Sequence, residues 1–474
     1  MPLNLNLHNH ARLYGSAALA AAFLAGILVT LGFKDIYPDL ERRYKSSKRQ
    51  RRTRRGSNAS VLTQDPRRSS IFFGAPVKLE DHESSSDSDD AANNNKNKNF
   101  THSAGAGRPV ISDGIEATIG HTPLVRLKAL SALLGRTVLA KAEFLNGCGN
   151  STKDRVALSM ILTAEARGLL APHRGDTIYE GTVGSTGISL ATLARARGYR
   201  CHICMPDDQS HEKSDLLRQL GAAVERVPVA PITSTGHFVN LARRRAREHE
   251  AVWADGSVGF FADQFESEAN WSAHMRSTGP EIVAQTGGDV DAFVAGAGTG
   301  GTISGVARYL KEGAGLGDRV RVVLADPQGS GLYNRVKYGV MYSPTEREGT
   351  RRRQQVDTIV EGIGINRITE NFEAGRELID DAVKVTDEQA CKMARWMVEN
   401  EGIFAGSSSA VNLVGAVVTA LSLPEGSTVV TILCDSGQRH LSKFYKKVAD
   451  LGLEGEHGDL DLFALLGIER PADR

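Results

Sequence analysis

The sequence predicts an α/β protein whose core is two mostly parallel sheets. Three observations carry this. From about residue 110 onward, short apolar runs of strand length alternate with segments of helix length. The 49 glycines suit the many tight turns that such alternation needs. A region of roughly 340 residues is also too long for one sheet-and-helix layer and long enough for two.

In chain order, Thr137–Phe144 reads as a strand, Asp154–Arg167 as a helix and Thr177–Glu180 as a strand. Thr186–Arg197 reads as a helix, Tyr199–Met205 as a strand and Glu212–Leu220 as a helix. Further strands are expected at Ala292–Gly296, Val320–Asp326 and Thr428–Cys434, with helices over Gly300–Lys311, Asp387–Glu399 and Ser409–Ala420. Strand–helix alternation implies parallel sheets covered on both faces. The Cys201-x-x-Cys204 pair lies in an apolar run ending at Pro206, so it reads as buried strand rather than as a metal or redox site. Five scattered cysteines make no disulfide framework and fit a reducing compartment. A formal net charge of +1 excludes the whole molecule as an electrostatic partner of nucleic acid.

The first hundred residues read differently. Leu13–Phe33 carries no charge and is long enough to cross a bilayer, and the basic run from Arg42 to Arg55 follows it. This predicts an N-terminal membrane anchor (residues 1–34), with the remainder facing the cytosol. The mitochondrial outer membrane is the favoured site and the endoplasmic reticulum the alternative. A basic flank and disordered linker (35–109) follow, the latter built from Ser/Asp and Asn/Lys tracts. The catalytic region is expected at 110–449 and a C-terminal tail at 450–474.

Three strand-to-helix turns carry the chemistry. Gly298, Thr299, Gly300, Gly301 and Thr302 open a helix after an apolar strand. Glycines let an anion approach the backbone, a helix start supplies unpaired N–H groups, and the threonines add hydroxyls; this is a phosphate cradle without the Lys-Ser/Thr of a nucleotide loop. Lys153, in Asn150–Arg155, also stands at a helix start, where the local dipole disfavours its positive charge and favours a nucleophilic amine. Thr182, Val183, Gly184, Ser185 and Thr186 join strand to helix with hydroxyls and N–H groups suited to a carboxylate.

Taken together, the chain from Ile119 to Phe444 resembles the cysteine synthase and cystathionine β-synthase family, with its tryptophan-synthase-β-like fold. The matching segments are Ile119–Leu127, Lys141–Asn146 through Ser151–Arg155, Glu180–Gly187, Gln264-Phe265 with Ala269-Asn270, Gly298–Thr302, Gly402–Ser409 and Asp435–Ser442. Glu361–Arg367 resembles a fungal branch of mitochondrial cysteine synthases that also carries an N-terminal anchor. The resemblance implies pyridoxal 5′-phosphate as cofactor, held covalently by Lys153, with its phosphate on Gly298–Thr302, Ser408 at its ring nitrogen and Ser185 near its 3′-oxygen. It implies that Thr182, Val183, Gly184, Thr186 and Gln264 hold the substrate. No metal is implied, and the family suggests a homodimer. The implied reaction is β-replacement on an activated serine such as O-acetylserine: Lys153 removes the Cα proton, an aminoacrylate forms, and sulfide adds at Cβ to give cysteine. Val183 and Ser185 stand where the family usually has Ser and Asn, which leaves other substrates open: O-phosphoserine, cystathionine or S-sulfocysteine formation, and cysteine breakdown. The basic excursion Lys337–Gln355 reads as a surface loop, or alternatively as a clamp for an anionic substrate. A membrane-tethered non-catalytic scaffold is the reading of a different class, and the retained Lys153 and glycine turn argue against it.

Overall fold

The computed structural model describes residues 112–209, 211–341, 358–453 and 461–469. The expected anchor and linker, and most of the basic excursion including Arg347 and Arg351–Arg353, lie outside the described residues.

Among the described residues ten strands form two sheets. They are β1 (Leu124–Arg126), β2 (Thr137–Ala142), β3 (Thr177–Gly181), β4 (Arg200–Pro206), β5 (Ala223–Val227), β6 (Gly259–Phe261), β7 (Ala292–Ala295), β8 (Arg321–Pro327), β9 (Asp381–Val385) and β10 (Thr428–Leu433). One sheet has the order β1-β2-β10-β7-β8-β9 and the other β5-β4-β3-β6. All pairings are parallel except β1 with β2. Helices α1 (Lys128–Leu134), α2 (Lys153–Ala166), α3 (Ser185–Ala196), α4 (His211–Gln219), α5 (Phe238–Arg247), α6 (Glu268–Arg276), α7 (Thr278–Thr286), α8 (Gly301–Arg308), α9 (Asp387–Glu401) and α10 (Ser407–Leu421) cover them, with several shorter turns between.

The pairing explains the composition. β10 lies between β2 and β7, and all six of its residues are buried. A strand covered on both faces needs a continuous apolar, β-branched run, which Thr-Val-Val-Thr-Ile-Leu supplies. α9 starts on a reciprocal cap, in which Thr386 Oγ1 accepts from Gln389 N at 3.1 Å and Gln389 Oε1 accepts from Thr386 N at 3.0 Å. It stops at Gly402, whose φ of 66° is the left-handed conformation that ends helices. One core fills the four-stranded lobe around Ile178, Leu190 and Ile203; two others fill the faces of the six-stranded sheet, around Val411 and Phe293. The segment 461–469 returns to this larger lobe, with Leu462, Phe463 and Leu466 buried against it. Cys201 and Cys204 are both buried in β4; Cys204 lies beside His202 and Glu225, whose carboxylate Arg245 grips at 2.8 Å.

Topology also sets where chemistry collects. β2, β10 and β7 are parallel neighbours, so the segments leaving their carboxyl ends emerge along one edge. Those segments lead to Lys153, to Cys434-Asp435 and to Gly298–Thr302. In parallel sheets such an edge is where ligands bind.

Candidate active site

A cavity of about 530 Å³ opens at this edge, between the two sheets. Every site residue expected from the sequence lines it: Lys153; Thr182, Val183, Gly184, Ser185 and Thr186; Gln264; Gly298, Thr299, Gly300, Gly301 and Thr302; and Ser408.

Lys153 is the first residue of α2. Its Nζ lies 3.3 Å from Thr152 Oγ1, and Thr152 N donates to Cys434 O at 3.3 Å, which ties the lysine to the end of β10. Burial above all holds the amine below the usual lysine range, against the opposing pull of Cys434, Asp435, Asp154 and Glu143. The helix start disfavours the amine's positive charge, and burial adds a second cause in the same direction.

The glycine turn is built as a helix start. Gly300 caps α8 with φ 86°, and a Cβ there would stand 2.5 Å from Phe372 Cα. The turn is covered from behind by 361–364, where Gly364 N donates to Ala297 O at 2.9 Å. Among the described residues the N–H groups of Thr299, Gly300 and Thr302 have no acceptor, as expected of a helix start built for an anion. Thr302 Oγ1 lies 3.2 Å from Nε2 of His274, a buried imidazole pushed down to about 3 by desolvation and so neutral.

The turn after β3 is fastened to its surroundings through Gln264. Thr186 Oγ1 donates to Gln264 Oε1 at 2.6 Å, and Gln264 Nε2 donates to Gly181 O at 3.1 Å. Asn270 Nδ2 donates to both Gln264 O (2.7 Å) and Thr299 Oγ1 (3.0 Å), joining this turn to the glycine turn. Ser408, in the first turn of α10, lies against the Cys434 thiol, which burial pushes up to about 11.

Sequence reasoning missed several of these groups. Glu180 is fully buried, accepts from Gly181 N and Gln264 N at 2.9 and 3.1 Å, and is pushed up to about 8 by burial. Asn412 accepts from Gly296 N at 2.7 Å and donates to Ile432 O at 2.9 Å. It had a signal, an amide one turn after Ser408 amid the apolar run that follows Ser409. Lys213, Glu361 and His440 also line the cavity; Lys213 had no local signal, and the segments holding Glu361 and His440 gave neither residue a role.

The donor set fits pyridoxal phosphate. A primary amine with depressed basicity suits an aldehyde, unpaired N–H groups at a helix start suit a phosphate, and a hydroxyl at a third helix start suits a ring nitrogen. Residues 115–435 match the model of the family described as pyridoxal-phosphate dependent enzyme. The chain belongs to that family. Cysteine synthase 2 of Neurospora crassa is 65% identical over 470 residues, covering 98% of this chain and 99% of the relative. A Saccharomyces cerevisiae relative, named provisionally as a mitochondrial cysteine synthase, is 53% identical over 72% of this chain and 86% of its own length. The crystal structure of an O-ureido-L-serine synthase superposes with a TM-score of 0.61 at 34% identity, over 74% of this chain and 98% of that one. The chain is thus a pyridoxal-phosphate enzyme of the cysteine synthase family, with the tryptophan-synthase-β-like fold expected of it.

One expectation is corrected. A single pass through the mitochondrial outer membrane is not supported: among the described residues no helix is long and apolar enough to cross a membrane. Leu13–Phe33 lies outside the described residues, and the yeast relative's name points to the mitochondrion without any membrane. The expectation rested on an uncharged run that is rich in alanine and glycine, hence only moderately apolar.

Proposed function

We propose that this chain makes L-cysteine from an activated serine, O-acetyl-L-serine in the first instance, and sulfide. The observation that carries the reading is that the Lys153 amine, held below its usual pKa, shares one cavity with the unpaired N–H groups of the 298–302 turn. When bound, pyridoxal phosphate supplies an electron sink for charge developing at the substrate's Cα.

The chain's own residues do the rest. The N–H groups and hydroxyls of Gly298, Thr299, Gly300, Gly301 and Thr302 hold the phosphate. Ser408 would face the ring nitrogen, where a neutral hydroxyl, unlike a carboxylate, would not hold the nitrogen protonated. Ser185 would stand nearest the 3′-oxygen. Thr182, Val183, Gly184, Thr186 and Gln264 receive the amino acid's carboxylate on N–H and hydroxyl donors. Lys153 anchors the cofactor, and its released, uncharged amine takes the proton from Cα. The Cβ–oxygen bond breaks and acetate leaves with the electron pair. Hydrosulfide forms the Cβ–sulfur bond, and Lys153 returns its proton to Cα. The catalytic region is placed at 110–449, working as a homodimer in a mitochondrial setting, the last on the yeast relative's name.

The test is a substrate panel on the purified chain supplied with pyridoxal phosphate: O-acetylserine, O-phosphoserine, serine and cysteine, each with and without sulfide. Sulfide-dependent cysteine formation should be fastest with O-acetylserine. Absence of cysteine from every activated serine overturns the reading, and preference for O-phosphoserine moves the substrate assignment.

A further inference from the structure

A chain of four alternating charges runs along the cavity wall from one lobe to the other. Lys213, on α4 of the four-stranded lobe, places Nζ 2.8 Å from Glu361 Oε2 and 3.2 Å from Gln209 Oε1. Glu361 Oε2 lies 3.4 Å from His440 Nδ1, and His440 Nε2 lies 3.1 Å from Asp435 Oδ2. All four residues line the cavity. The Glu361 end is fastened to the six-stranded lobe: Glu361 N donates to Ser407 Oγ at 3.0 Å, and Ile365 N to Ser330 Oγ at 3.1 Å.

α4 itself is thinly seated. Of its nine residues only Ser214 and Leu217 are buried. Yet Asp208 and Gln209 just before it, and Glu212 and Leu216 on it, form part of the cavity wall. An element with few buried groups opens at low free-energy cost, so one ion pair across the lobes has a large say in where α4 sits. An exposed pair would not suffice, but Lys213 and Glu361 are only 18% and 17% exposed. Behind them His440 and Asp435 are 5% and 8% exposed, and their mutual contact keeps Glu361 in place.

We propose that Lys213, Glu361 and His440 form a cross-lobe latch that holds α4 against the substrate cavity, so that they act as positioning residues setting affinity for the amino-acid substrate. The proposal rests on the reading of this cavity as the substrate site. The latch is charge-balanced: the groups facing His440 are Asp435 and Glu361, and those facing Glu361 are Lys213, His440 and, at 4.0 Å, Lys443. Burial alone would lower His440, but the two carboxylates outweigh it and raise it to about 9. The imidazolium is therefore present at neutral pH and lost in mild alkali.

The experiment uses the full chain loaded with pyridoxal phosphate and the variants Lys213→Met, Lys213→Arg and Glu361→Gln. Steady-state kinetics with O-acetylserine are combined with amide hydrogen exchange of residues 211–219 in the absence of substrate. A shift of the α4 equilibrium should raise KM about five-fold or more in Lys213→Met and Glu361→Gln, while kcat stays within about two-fold. Exchange across 211–219 should quicken in the same two variants, and Lys213→Arg should restore both readouts. In the wild type KM should climb as pH passes about 9. Wild-type KM and wild-type exchange in Lys213→Met overturn the latch. If Lys213→Met does not fold, the same two readouts in Glu361→Gln decide the matter in its place. Should O-acetylserine not be a substrate at all, the proposed function fails, while exchange across 211–219 still decides the latch.

Discussion

Lys153 and His440 show opposite outcomes of burying a cation beside carboxylates. For Lys153 desolvation wins and the amine is held below its usual range. Asp154, the acid next to it in sequence, is occupied by Ser189 Oγ and by Gly149 N at 2.7 Å rather than by the amine. Lys153→Ala should therefore reduce sulfide-dependent cysteine formation by about 10³-fold or more, the scale of losing a positioned base and nucleophile. The visible absorption of lysine-bound cofactor should vanish with it, and unfolding by denaturant should change little or improve, since a desolvated amine is removed. For His440 the carboxylates win. A pKa raised from 6.5 to about 9 on folding means that its stabilisation is complete below pH 6.5 and disappears as pH rises through 9. The shift sets a ceiling of about 3 kcal/mol. Denaturant unfolding of the wild type should weaken between pH 6.5 and 9.5, and His440→Asn should flatten that slope.

At the scale of elements, the glycine turn shows which constraints a sequence displays. Gly300 needs its φ of 86° to cap α8, and the Phe372 backbone sits where a Cβ would go. Gly300→Ala should weaken cofactor binding at least about ten-fold by equilibrium dialysis and cost roughly 1–3 kcal/mol in denaturant unfolding. The turn was legible because Gly and Thr between an apolar strand and a helix have few other uses. The expected helices and strands were legible for a related reason: they are buried and strongly patterned, and their ends moved by one or two residues, or by three where Gly300–Lys311 became Gly301–Arg308. Asp154–Arg167 became Lys153–Ala166, and Ser409–Ala420 became Ser407–Leu421. Short or half-buried strands escaped. β6 has only three residues, none of them buried, and β5 has no buried residue either and is interrupted by Glu225 and Arg226. Glu180 and the Lys213–Glu361–His440 chain escaped because their meaning depends on partners tens to hundreds of positions away, which no local spacing reveals.

At the scale of the whole molecule, the two lobes are joined by a second, buried charge network. Lys141 on β2 and Glu143 just after it belong to the six-stranded lobe, and Arg155 lies on α2. Arg155 contacts Glu143 at 2.8 Å and Glu281 on α7 at 2.6 Å, and Lys141 contacts Glu281 at 2.7 Å. Burial would raise both glutamates. Arg155 overcomes this for Glu143, and Arg155 with Lys141 brings Glu281 down to about 2. A buried pair adds little over a well-packed apolar one, but removing one partner strands the other's charge at about 3–5 kcal/mol. Arg155→Met should therefore destabilise the chain by that much at pH 7. The acid limb tests the cause. Glu281 falls from 4.5 to about 2 on folding, so its contribution is complete above pH 4.5 and disappears as pH falls through 2. In Arg155→Met the stranded carboxylates have lost the cation that held them ionised, and they protonate at higher pH. The deficit of the variant, measured by denaturant unfolding, should be largest at pH 7 and shrink below about pH 4 as both proteins carry neutral acids. A deficit that stays constant across that range would assign the loss to packing of the arginine stem instead of to charge.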